Sequence, residues 1–275
     1  MDLSNQAIVH IKKDNIEYLQ FKRLLDYSNI KHAYVLKPYG LNFRLGTNFH
    51  NKEVVLNSLR TFCKECDFDF NSVVRPDFEH TSNVKVIDHI DDTYSTPEIY
   101  GQRFKEVDGL ITNTKDITLM ATNADCNIII LYDAKKNVIG NIHAGWRGTF
   151  DRIAFNAINK MKDEFGCDAK DIEAYFCPSI RKCHFEVDED VKELCEGIFG
   201  FMDVNDFIEI GAIKDDKQKY MIDLVQINKN LFLQLGMKEK NIIDSDICSM
   251  CNSDVIHSAR TEGKDYRKGI AFISL

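Results

Sequence analysis

Apolar residues recur at three- and four-residue intervals in four stretches of the chain, which is the spacing of one face of a helix. The first stretch follows Asn51 and the last follows Asp223, and both residue types are common at helix N-caps. Glycines mark the ends of two stretches. The predicted helices run over about 52–66, from near Thr149 to Gly166, over about 187–198, and from Asp223 to Gly236.

Between the first two helices the pattern changes to short apolar runs, which predict β-strands. Residues 134–137 separate two of these runs and have the composition of a tight turn, so they predict a hairpin. The predicted strands cover 83–88, 109–113, 118–122, 127–133 and 137–143.

Blocks of strands separated by helices, with one tight hairpin, indicate an α/β fold in which a mixed β-sheet is layered with helices. The chain has only four prolines, and it contains no Gly/Ser-rich linker, low-complexity tract or internal repeat. A single domain over residues 1–275 is therefore predicted, because this length lies within the range of one domain with a full-sized core.

Composition limits the partners of this domain. The chain has 43 acidic and 35 basic residues and a net charge of −8, so it has no overall basic field to attract nucleic acid or anionic membrane. We expect neither as a partner, and any anionic ligand must be held by a local site. No apolar run approaches the ~18 residues of a membrane span, and no signal-peptide core is present. We therefore expect the protein to be located in the cytoplasm. The nine cysteines are then expected to be reduced.

Chemically versatile residues concentrate at one end of the predicted hairpin, where Asp125 and Cys126 precede the first strand and His143 ends the second. If Asp133 faces Val138 across the turn, antiparallel register puts Cys126 on the same face as His143, one diagonal step or about 7–8 Å away. A zinc ion can bridge such a pair, with bonds of about 2.3 Å to sulfur and 2.0–2.1 Å to nitrogen. The same geometry suits a Cys–His nucleophile pair or two purely structural side chains, and spacing alone leaves these readings open.

The segment after the second hairpin strand has features of an anion site. Gly145 and Gly148 allow close backbone approach, and Thr149 is expected to begin a helix whose first N–H groups favour negative charge. Arg147 offers a forked donor for phosphate or carboxylate, or it pairs with a surface acid. The chain's single tryptophan, at position 146, can stack on a planar ligand or fill the core.

These motifs resemble the signature of the laccase-domain family, also described as multicopper polyphenol oxidase-like, purine nucleoside phosphorylase-like or peptidoglycan-editing-factor-like proteins. The central match is Asn123-Ala124-Asp125-Cys126 followed by His143-Ala144-Gly145-Trp146-Arg147-Gly148-Thr149. The resemblance covers most of the chain from about residue 50 onward. Its other matching segments are 78–84, 108–112, 177–180 with 186–187, 257–260 and 270–273.

The resemblance implies a cysteine hydrolase-like α/β fold and a zinc site formed by His80, Cys126 and His143. Three protein ligands leave a fourth position open, as in catalytic zinc sites, although such ligands also suit copper. The resemblance further implies phosphorolysis of adenosine, inosine and methylthioadenosine to the free base and ribose 1-phosphate, and deamination of adenosine. The expected partners are therefore small molecules, namely a purine nucleoside and phosphate.

Further site residues are assigned on the strength of this resemblance. Asp125 is the hypothetical proton donor or acceptor beside the catalytic cysteine and histidine. Arg147 and Thr149 are expected to hold phosphate, and Arg260 is expected to contact a second anion or the ribose. The chain departs from the family pattern at 39–44, where a Thr-Arg-x-Gly-Gly loop is not recognisable. It also departs near its end, where the family's Gly-Arg pair is not clear and Arg267 and Lys268 are the nearest cations.

Other functions remain open at this stage. One is a Cys–His hydrolase or amidase that acts on a cell-wall precursor. Another is a copper-dependent polyphenol oxidase, although multicopper oxidation needs more histidines than one His/Cys/His set supplies. A third is a metal-binding or partner-binding module without catalysis.

The remaining cysteines and histidines carry weaker patterns. Two Cys-x-x-Cys pairs could form a four-thiolate zinc site, but the first lies on an apolar helix and the second is distant in sequence. Adjacent Cys183 and His184 would point to opposite faces of an extended strand, which argues against a shared metal. The residues concerned are Cys63, Cys66, Cys248 and Cys251, and the histidines without any pattern are His10, His32, His50 and His89.

Overall fold

The computed structural model describes residues 1–44, 51–89, 104 and 106–275. The strands are β1 (Ile8–Lys13), β2 (Ile16–Phe21), β3 (Lys31–Val35), β4 (Val73–Val74), β5 (Val84–Val86), β6 (Gly109–Thr112), β7 (Thr118–Asn123), β8 (Asn127–Asp133), β9 (Val138–Ala144), β10 (Ile172–Phe176), β11 (Glu186–Val187), β12 (Ile208–Lys214), β13 (Lys217–Ile222), β14 (Ile242–Asp244) and β15 (Gly269–Ser274). The helices are α1 (Lys52–Cys66), α2 (Trp146–Phe150), α3 (Ile153–Phe165), α4 (Glu189–Phe199), α5 (Leu224–Gln234) and α6 (Ala259–Glu262). Across these residues, no helix combines the length and apolarity needed to cross a bilayer.

The strands form two six-stranded sheets and one three-stranded sheet. The first sheet has the order β1-β2-β3-β15-β7-β4, the second β14-β10-β8-β9-β6-β5, and the small sheet β11-β13-β12. Both large sheets are mixed, because β4 runs parallel to β7, β5 to β6 and β14 to β10, while their other neighbours pair antiparallel. The predicted α/β class with mixed sheets is confirmed.

The two large sheets pack face to face, and helices cover their outer faces. Strand β7 shows the alternation: Leu119 and Ala121 enter the core between the sheets, whereas Met120 packs with residues of α1. Helices α3 and α5 cover the outer face of the second sheet. Strands buried on both faces must be apolar throughout, which explains why the sequence shows continuous apolar runs rather than alternation.

The helices largely follow the apolar pattern, with one difference. Helix α1 has the predicted bounds, and the Asp223 carboxylate caps α5 by accepting a hydrogen bond from the backbone N–H of Gln226 at 2.9 Å. The helix expected from near Thr149 to Gly166 begins earlier and is interrupted before α3, where Arg152 has a φ of 61°. The interruption lets α2 pack beside the small sheet while α3 packs on the second large sheet. The apolar residues of this stretch of sequence are therefore divided between two separate hydrophobic cores.

The predicted hairpin is confirmed in its register. Asp133 pairs with Val138 and Ile128 pairs with His143 between β8 and β9. Strand β7 of the first sheet leads directly into β8 of the second through residues 124–126. This short connection therefore joins the ends of both large sheets, and Cys126 lies in it.

Candidate active site

Three side chains from separate segments converge at this end of the sheets. His80 comes from the loop before β5, Cys126 from the β7–β8 connection and His143 from the end of β9. Their ligand atoms all lie within 4.8 Å of one another, and His80 Nε2 is 3.9 Å from Cys126 Sγ. One thiolate and two imidazoles in this arrangement can hold a metal ion and leave a fourth coordination position for another ligand.

The turn that carries Cys126 is fixed by a buried asparagine. The Asn123 amide donates hydrogen bonds to the carbonyl oxygens of Cys126 at 2.7 Å and Pro178 at 2.9 Å, and its Oδ1 accepts one from the Tyr34 hydroxyl at 3.0 Å. Asp125 completes the turn with a φ of 86°, a conformation that Asp tolerates better than most residues. The backbone geometry therefore presents the thiol at a defined place.

Asp108 organises both histidines, a role that the sequence analysis does not predict. Its Oδ1 accepts hydrogen bonds from His143 Nδ1 at 2.8 Å and from the His80 backbone N–H at 3.1 Å. Its Oδ2 accepts from the Thr81 backbone N–H at 2.7 Å and from the Thr81 hydroxyl at 2.9 Å. The carboxylate is fully buried, and it directs the other nitrogen of His143 toward Cys126. Carboxylates play this orienting part for histidine ligands in metal sites.

Asp108 could have been found from the register of the sheet. It immediately precedes β6, and β6 pairs antiparallel with β9 so that Gly109 faces Ile142. The next residues outward are therefore Asp108 and His143, and the His143 N–H donates to the Asp108 carbonyl at 2.8 Å. The pairing of β6 with β9 is a long-range contact, which is why hydrophobic periodicity alone did not indicate it.

Charges in this cluster favour an ionised thiol. Burial raises the pKa of Cys126, but the charge of His143 and hydrogen bonds from His143 and His80 lower it to about 6. Burial lowers the pKa of His143, but the neighbouring thiolate and the hydrogen bond to Asp108 raise it to about 9. These interactions favour the thiolate form of Cys126 and the imidazolium form of His143 in the metal-free protein, and the thiolate is the form that binds metals and attacks electrophiles.

Two glycines lie so close to the segments that carry His80 and Cys126 that a larger side chain would not fit. A Cβ on Gly145 would lie 2.8 Å from His80 Cδ2 and 3.2 Å from Cys126 Sγ. A Cβ on Gly148 would lie 2.8 Å from the Thr81 carbonyl oxygen. The close approach predicted for these glycines therefore occurs against the protein's own residues, which lets α2 pack beside the cluster.

A cavity of about 480 Å³ opens beside Cys126. Asp125 and Arg260 line it, and so does Trp146, which gives the tryptophan a place at the ligand-accessible surface. The Asp125 carboxylate accepts hydrogen bonds from the Ser249 hydroxyl at 2.6 Å and from the Arg260 backbone N–H at 2.9 Å. The remaining wall combines apolar and acidic residues, namely Ala124, Ile180, Phe185, Glu186, Val187, Asp188, Asp190, Val191, Leu224 and Ala259.

The two residues expected to hold phosphate, Arg147 and Thr149, do not line this cavity. Thr149 is fully buried, its hydroxyl is 3.4 Å from the Ala144 carbonyl, and Asn228 donates to it at 3.1 Å. The expectation that Thr149 begins the helix is wrong, because the helix begins three residues earlier and is only five residues long. Arg147 is exposed and stacks on Trp146, with its guanidinium carbon 4.1 Å from the ring centroid.

A group of cations lies near His143, around the ring of Phe78. Phe78 packs edge-on against the His143 ring at 5.2 Å, and it is flanked by Lys268 Nζ at 5.7 Å and the Arg75 guanidinium at 5.8 Å from its ring centroid. Burial and the charge of Arg75 lower the pKa of Lys268 to about 8, against the opposing effect of Cys126. Arg44 adds to the same positive field. The sequence analysis names Lys268 only as a cation near the unclear Gly-Arg pair and does not predict its position beside the cluster.

Comparison with known proteins places these features in a family. Residues 31–275 match the family model described as multi-copper polyphenol oxidoreductase laccase. This chain belongs to that family. The resemblance to the laccase-domain family, which the sequence motifs indicate, is thereby confirmed. The matched range includes every residue of the candidate site.

Relatives of this laccase-family chain carry names of enzymes. It is 25% identical over 240 residues, or 87% of this chain and 84% of the relative, to purine nucleoside phosphorylase YlmD of Bacillus subtilis. It is 30% identical over 211 residues, or 76% of this chain and 77% of the relative, to adenosine deaminase RL5 from an unknown prokaryotic organism. The crystal structure of YlmD from Geobacillus stearothermophilus shares the fold with a TM-score of 0.83, at 19% identity over 97% of this chain and 98% of that one.

The structure places the cysteines and histidines of the weaker sequence patterns in different environments. Cys63 lies on the buried face of α1, and neither Cys63 nor Cys66 lies near the second pair, so the four-thiolate site joining the two Cys-x-x-Cys pairs is wrong for these described residues. Cys248 and Cys251 lie instead beside Cys183 and His184. His50 lies outside the described residues. The other histidines without a pattern make local contacts: His10 with Glu17 at 2.9 Å, His32 with the Phe21 N–H at 2.7 Å and His89 with Asp88 at 2.6 Å.

Proposed function

We propose that this laccase-family protein is a zinc-dependent purine nucleoside enzyme that cleaves adenosine, inosine and methylthioadenosine with phosphate and also deaminates adenosine. The observation that carries the proposal is the convergence of His80, Cys126 and His143 beside a cavity of about 480 Å³. That volume lies in the range of small-molecule sites. The names of the relatives support the substrate class.

The residues present fit a catalytic metal. Two imidazoles and one thiolate converge, and the Asp108 carboxylate fixes the orientation of one of them. This donor set suits zinc, and copper is the other candidate. When bound, zinc supplies Lewis-acid polarisation at the open position.

The cavity offers complementary surfaces to a nucleoside. We assign the purine base to the apolar wall that contains Trp146 and Phe185, since aromatic side chains stack on planar rings. Carboxylates at the rim, including Glu186 and Asp188, can accept hydrogen bonds from ribose hydroxyls. Arg260 lies above Phe185 at 5.7 Å and is assigned to the ribose side of this wall.

Phosphate is assigned to the cations around Phe78, next to His143. Lys268 and Arg75 flank Phe78, and Arg44 contributes to the same positive field. A phosphate oxygen held there attacks ribose C1′ while the bond from C1′ to the base breaks, and the electron pair of that bond leaves on the base. Fixed positive charge beside the attacking dianion stabilises it without reorganisation.

Asp125 and Arg147 have supporting parts in this proposal. The Asp125 carboxylate accepts two hydrogen bonds, from Ser249 and from the Arg260 backbone, so it positions Arg260 at the cavity and is assigned as a proton acceptor. Arg147 covers one face of Trp146 and holds that ring in the wall. Thr149 is assigned to packing through Asn228 rather than to phosphate.

Product analysis tests the proposal. The zinc-loaded protein is incubated with adenosine with and without phosphate, beside a Cys126→Ala variant and a Cys66→Ala control. Adenine that forms only with phosphate establishes phosphorolysis, and inosine that forms without phosphate establishes deamination. Both must disappear in Cys126→Ala and persist in Cys66→Ala. The absence of both products from the zinc-loaded wild type would contradict the proposal.

One observation also favours a cysteine hydrolase or amidase. Asp108, His143 and Cys126 are arranged as acid, base and nucleophile, with the aspartate 2.8 Å from the histidine. Metal removal separates the two functions, because a chelator abolishes zinc-dependent turnover and leaves a thiol hydrolase active. For a multicopper oxidase, by contrast, the described residues bring only His80, His143 and His184 into clusters of potential metal ligands, fewer histidines than that chemistry requires.

A further inference from the structure

A second cluster of metal-ligand types lies apart from the His80 group. It consists of Cys183, His184, Cys248 and Cys251, whose ligand atoms all lie within 4.8 Å of one another. Three thiols and one imidazole form a donor set typical of structural zinc sites, which use four protein ligands and leave no open position. The proposed nucleoside reaction uses none of these residues.

The distances match those of a tetrahedral site. Bonds of about 2.3 Å to sulfur and 2.0–2.1 Å to nitrogen require S–S separations of about 3.8 Å and S–N separations of about 3.5 Å. Cys183 Sγ is 3.9 Å from Cys251 Sγ. His184 Nδ1 is 3.7 Å from Cys248 Sγ, 3.4 Å from Cys251 Sγ and 3.1 Å from Cys183 Sγ. These atoms therefore already surround a point at which one ion can bind all four.

The fold explains why the two ligand pairs meet. Strands β10 and β14 run parallel, and beyond their ends Ser179 still pairs with Cys248 in a parallel bridge. The Ser249 N–H donates to the Ser179 carbonyl at 2.9 Å. The two segments that follow these strands then both turn at the same end of the sheet, so residues 182–184 and 249–251 lie side by side. Adjacent Cys183 and His184 can reach one ion because they lie in a turn, where neighbouring side chains need not point to opposite faces.

Backbone N–H groups surround the sulfur of Cys248. Backbone N–H groups of Cys251, Arg181 and Met250 donate hydrogen bonds to its sulfur. Cys-x-x-Cys turns in zinc sites place N–H donors on sulfur in this way, because the turn aims successive N–H groups at the first ligand. Cys248 is buried, whereas Cys183 and Cys251 are exposed, so an ion can enter from solvent.

We propose that Cys183, His184, Cys248 and Cys251 form a second, structural zinc site. This site clamps the segment before β11 to the loop after β14. Ser249, which lies inside the Cys-x-x-Cys turn, donates to the Asp125 carboxylate at 2.6 Å, and Ile180 donates to the Asp125 carbonyl at 2.8 Å. The clamp thus supports the cavity wall next to Cys126. It does not depend on which substrate the cavity binds.

Metal stoichiometry tests the site directly. The full chain is purified from zinc-supplemented culture without an affinity tag that binds metal, and zinc per chain is measured by mass spectrometry. We expect about two zinc ions in the wild type, about one in the Cys183→Ser/Cys251→Ser variant and about one in Cys126→Ser. The Cys66→Ser control, which alters a thiol outside both clusters, should retain about two.

A cobalt titration gives an answer even if the double variant fails to fold. In Cys126→Ser, the remaining cluster should bind Co²⁺ with the strong sulfur-to-cobalt charge-transfer absorption of a tetrahedral three-thiolate site, and zinc should displace it with loss of that absorption. Absence of this absorption in folded Cys126→Ser would overturn the proposal. So would a wild type that holds about one zinc ion and has Cys183 and Cys251 joined by a disulfide.

Discussion

Replacement of Asp108 by asparagine isolates the effect of one carboxylate on the whole metal cluster. Both oxygens of Asp108 accept hydrogen bonds, Oδ1 from His143 Nδ1 and the His80 N–H, and Oδ2 from the Thr81 N–H and hydroxyl and the Glu79 N–H. Asparagine keeps the size of the side chain but replaces one acceptor with a donor. Whichever position the new NH₂ takes, it faces two N–H groups that no longer have a partner.

The expected losses of stability and of zinc affinity in Asp108→Asn follow from these contacts. A buried donor left without a partner costs about 1–3 kcal/mol, so two of them give a loss of about 2–6 kcal/mol in the free energy of unfolding. His143 can avoid this loss only by giving up the proton on Nδ1, so that Nδ1 accepts a hydrogen bond while the other nitrogen keeps its proton. That tautomer protonates the nitrogen that faces Cys126 and prevents it from binding a metal. Loss of such an orienting carboxylate lowers metal affinity by about 10–100-fold.

Two measurements check this reasoning. Chemical denaturation of the metal-free protein gives the free energy of unfolding, and competition with a chromogenic chelator gives the zinc affinity. Asp215→Asn is the matched control, because Asp215 is exposed in a turn with a φ of 48°, a conformation that asparagine also tolerates. We expect the control to stay within about 0.5 kcal/mol of the wild type. An Asp108→Asn protein that matches the control in both stability and zinc affinity would refute the account of the site.

Three further predictions concern the same region. Gly145→Ala should lower zinc affinity at least about tenfold, because its Cβ would lie 2.8 Å from His80 Cδ2, whereas Gly197→Ala, with nothing within 4 Å of its Cβ, should bind zinc normally. Lys268→Met should raise the KM for phosphate at least about tenfold and leave phosphate-independent deamination unchanged, and equal effects on both reactions would contradict the assigned phosphate position. In the metal-free protein, alkylation of Cys126 by iodoacetamide should rise with pH around a pKa of about 6, because the thiolate forms above the pKa; a midpoint near about 8.5, the value for a free thiol, would show that His143 does not act on it.

The elements that could be predicted are those decided by local sequence. Helix α1 and the β8–β9 hairpin follow from apolar spacing and a tight turn, and the hairpin register placed Cys126 near His143 in advance. The division of the strands into two face-to-face sheets did not follow from the sequence, because the central strands of both sheets are buried on both faces and show the same continuous pattern. Which strand pairs with which is decided by contacts far apart along the chain.

The errors have the same origin. Thr149 looked like a helix start because the apolar stripe gave no sign that a break at Arg152 separates two helices with different cores. Cys183 and His184 were judged on strand geometry, whereas they lie in a turn whose position depends on the pairing of β10 with β14. Asp108 was overlooked because its partners approach through β6 and β9 and through a loop nearly thirty residues earlier in the chain.

His80 is the residue that most clearly separates the zinc enzyme from a cysteine hydrolase. A nucleophilic cysteine needs one base and a group that orients the base, and Asp108 and His143 already supply both. Nevertheless the imidazole of His80 lies 3.9 Å from the Cys126 sulfur. The backbone of His80 has a φ of 62°, and this left-handed conformation costs a residue with a Cβ about 1–2 kcal/mol. The backbone N–H of His80 is tied to the same carboxylate that orients His143. A hydrogen bond from this imidazole would weaken the thiolate as a nucleophile, whereas as a third donor it completes the ligand set of a metal ion, so the local strain favours the metal-dependent function.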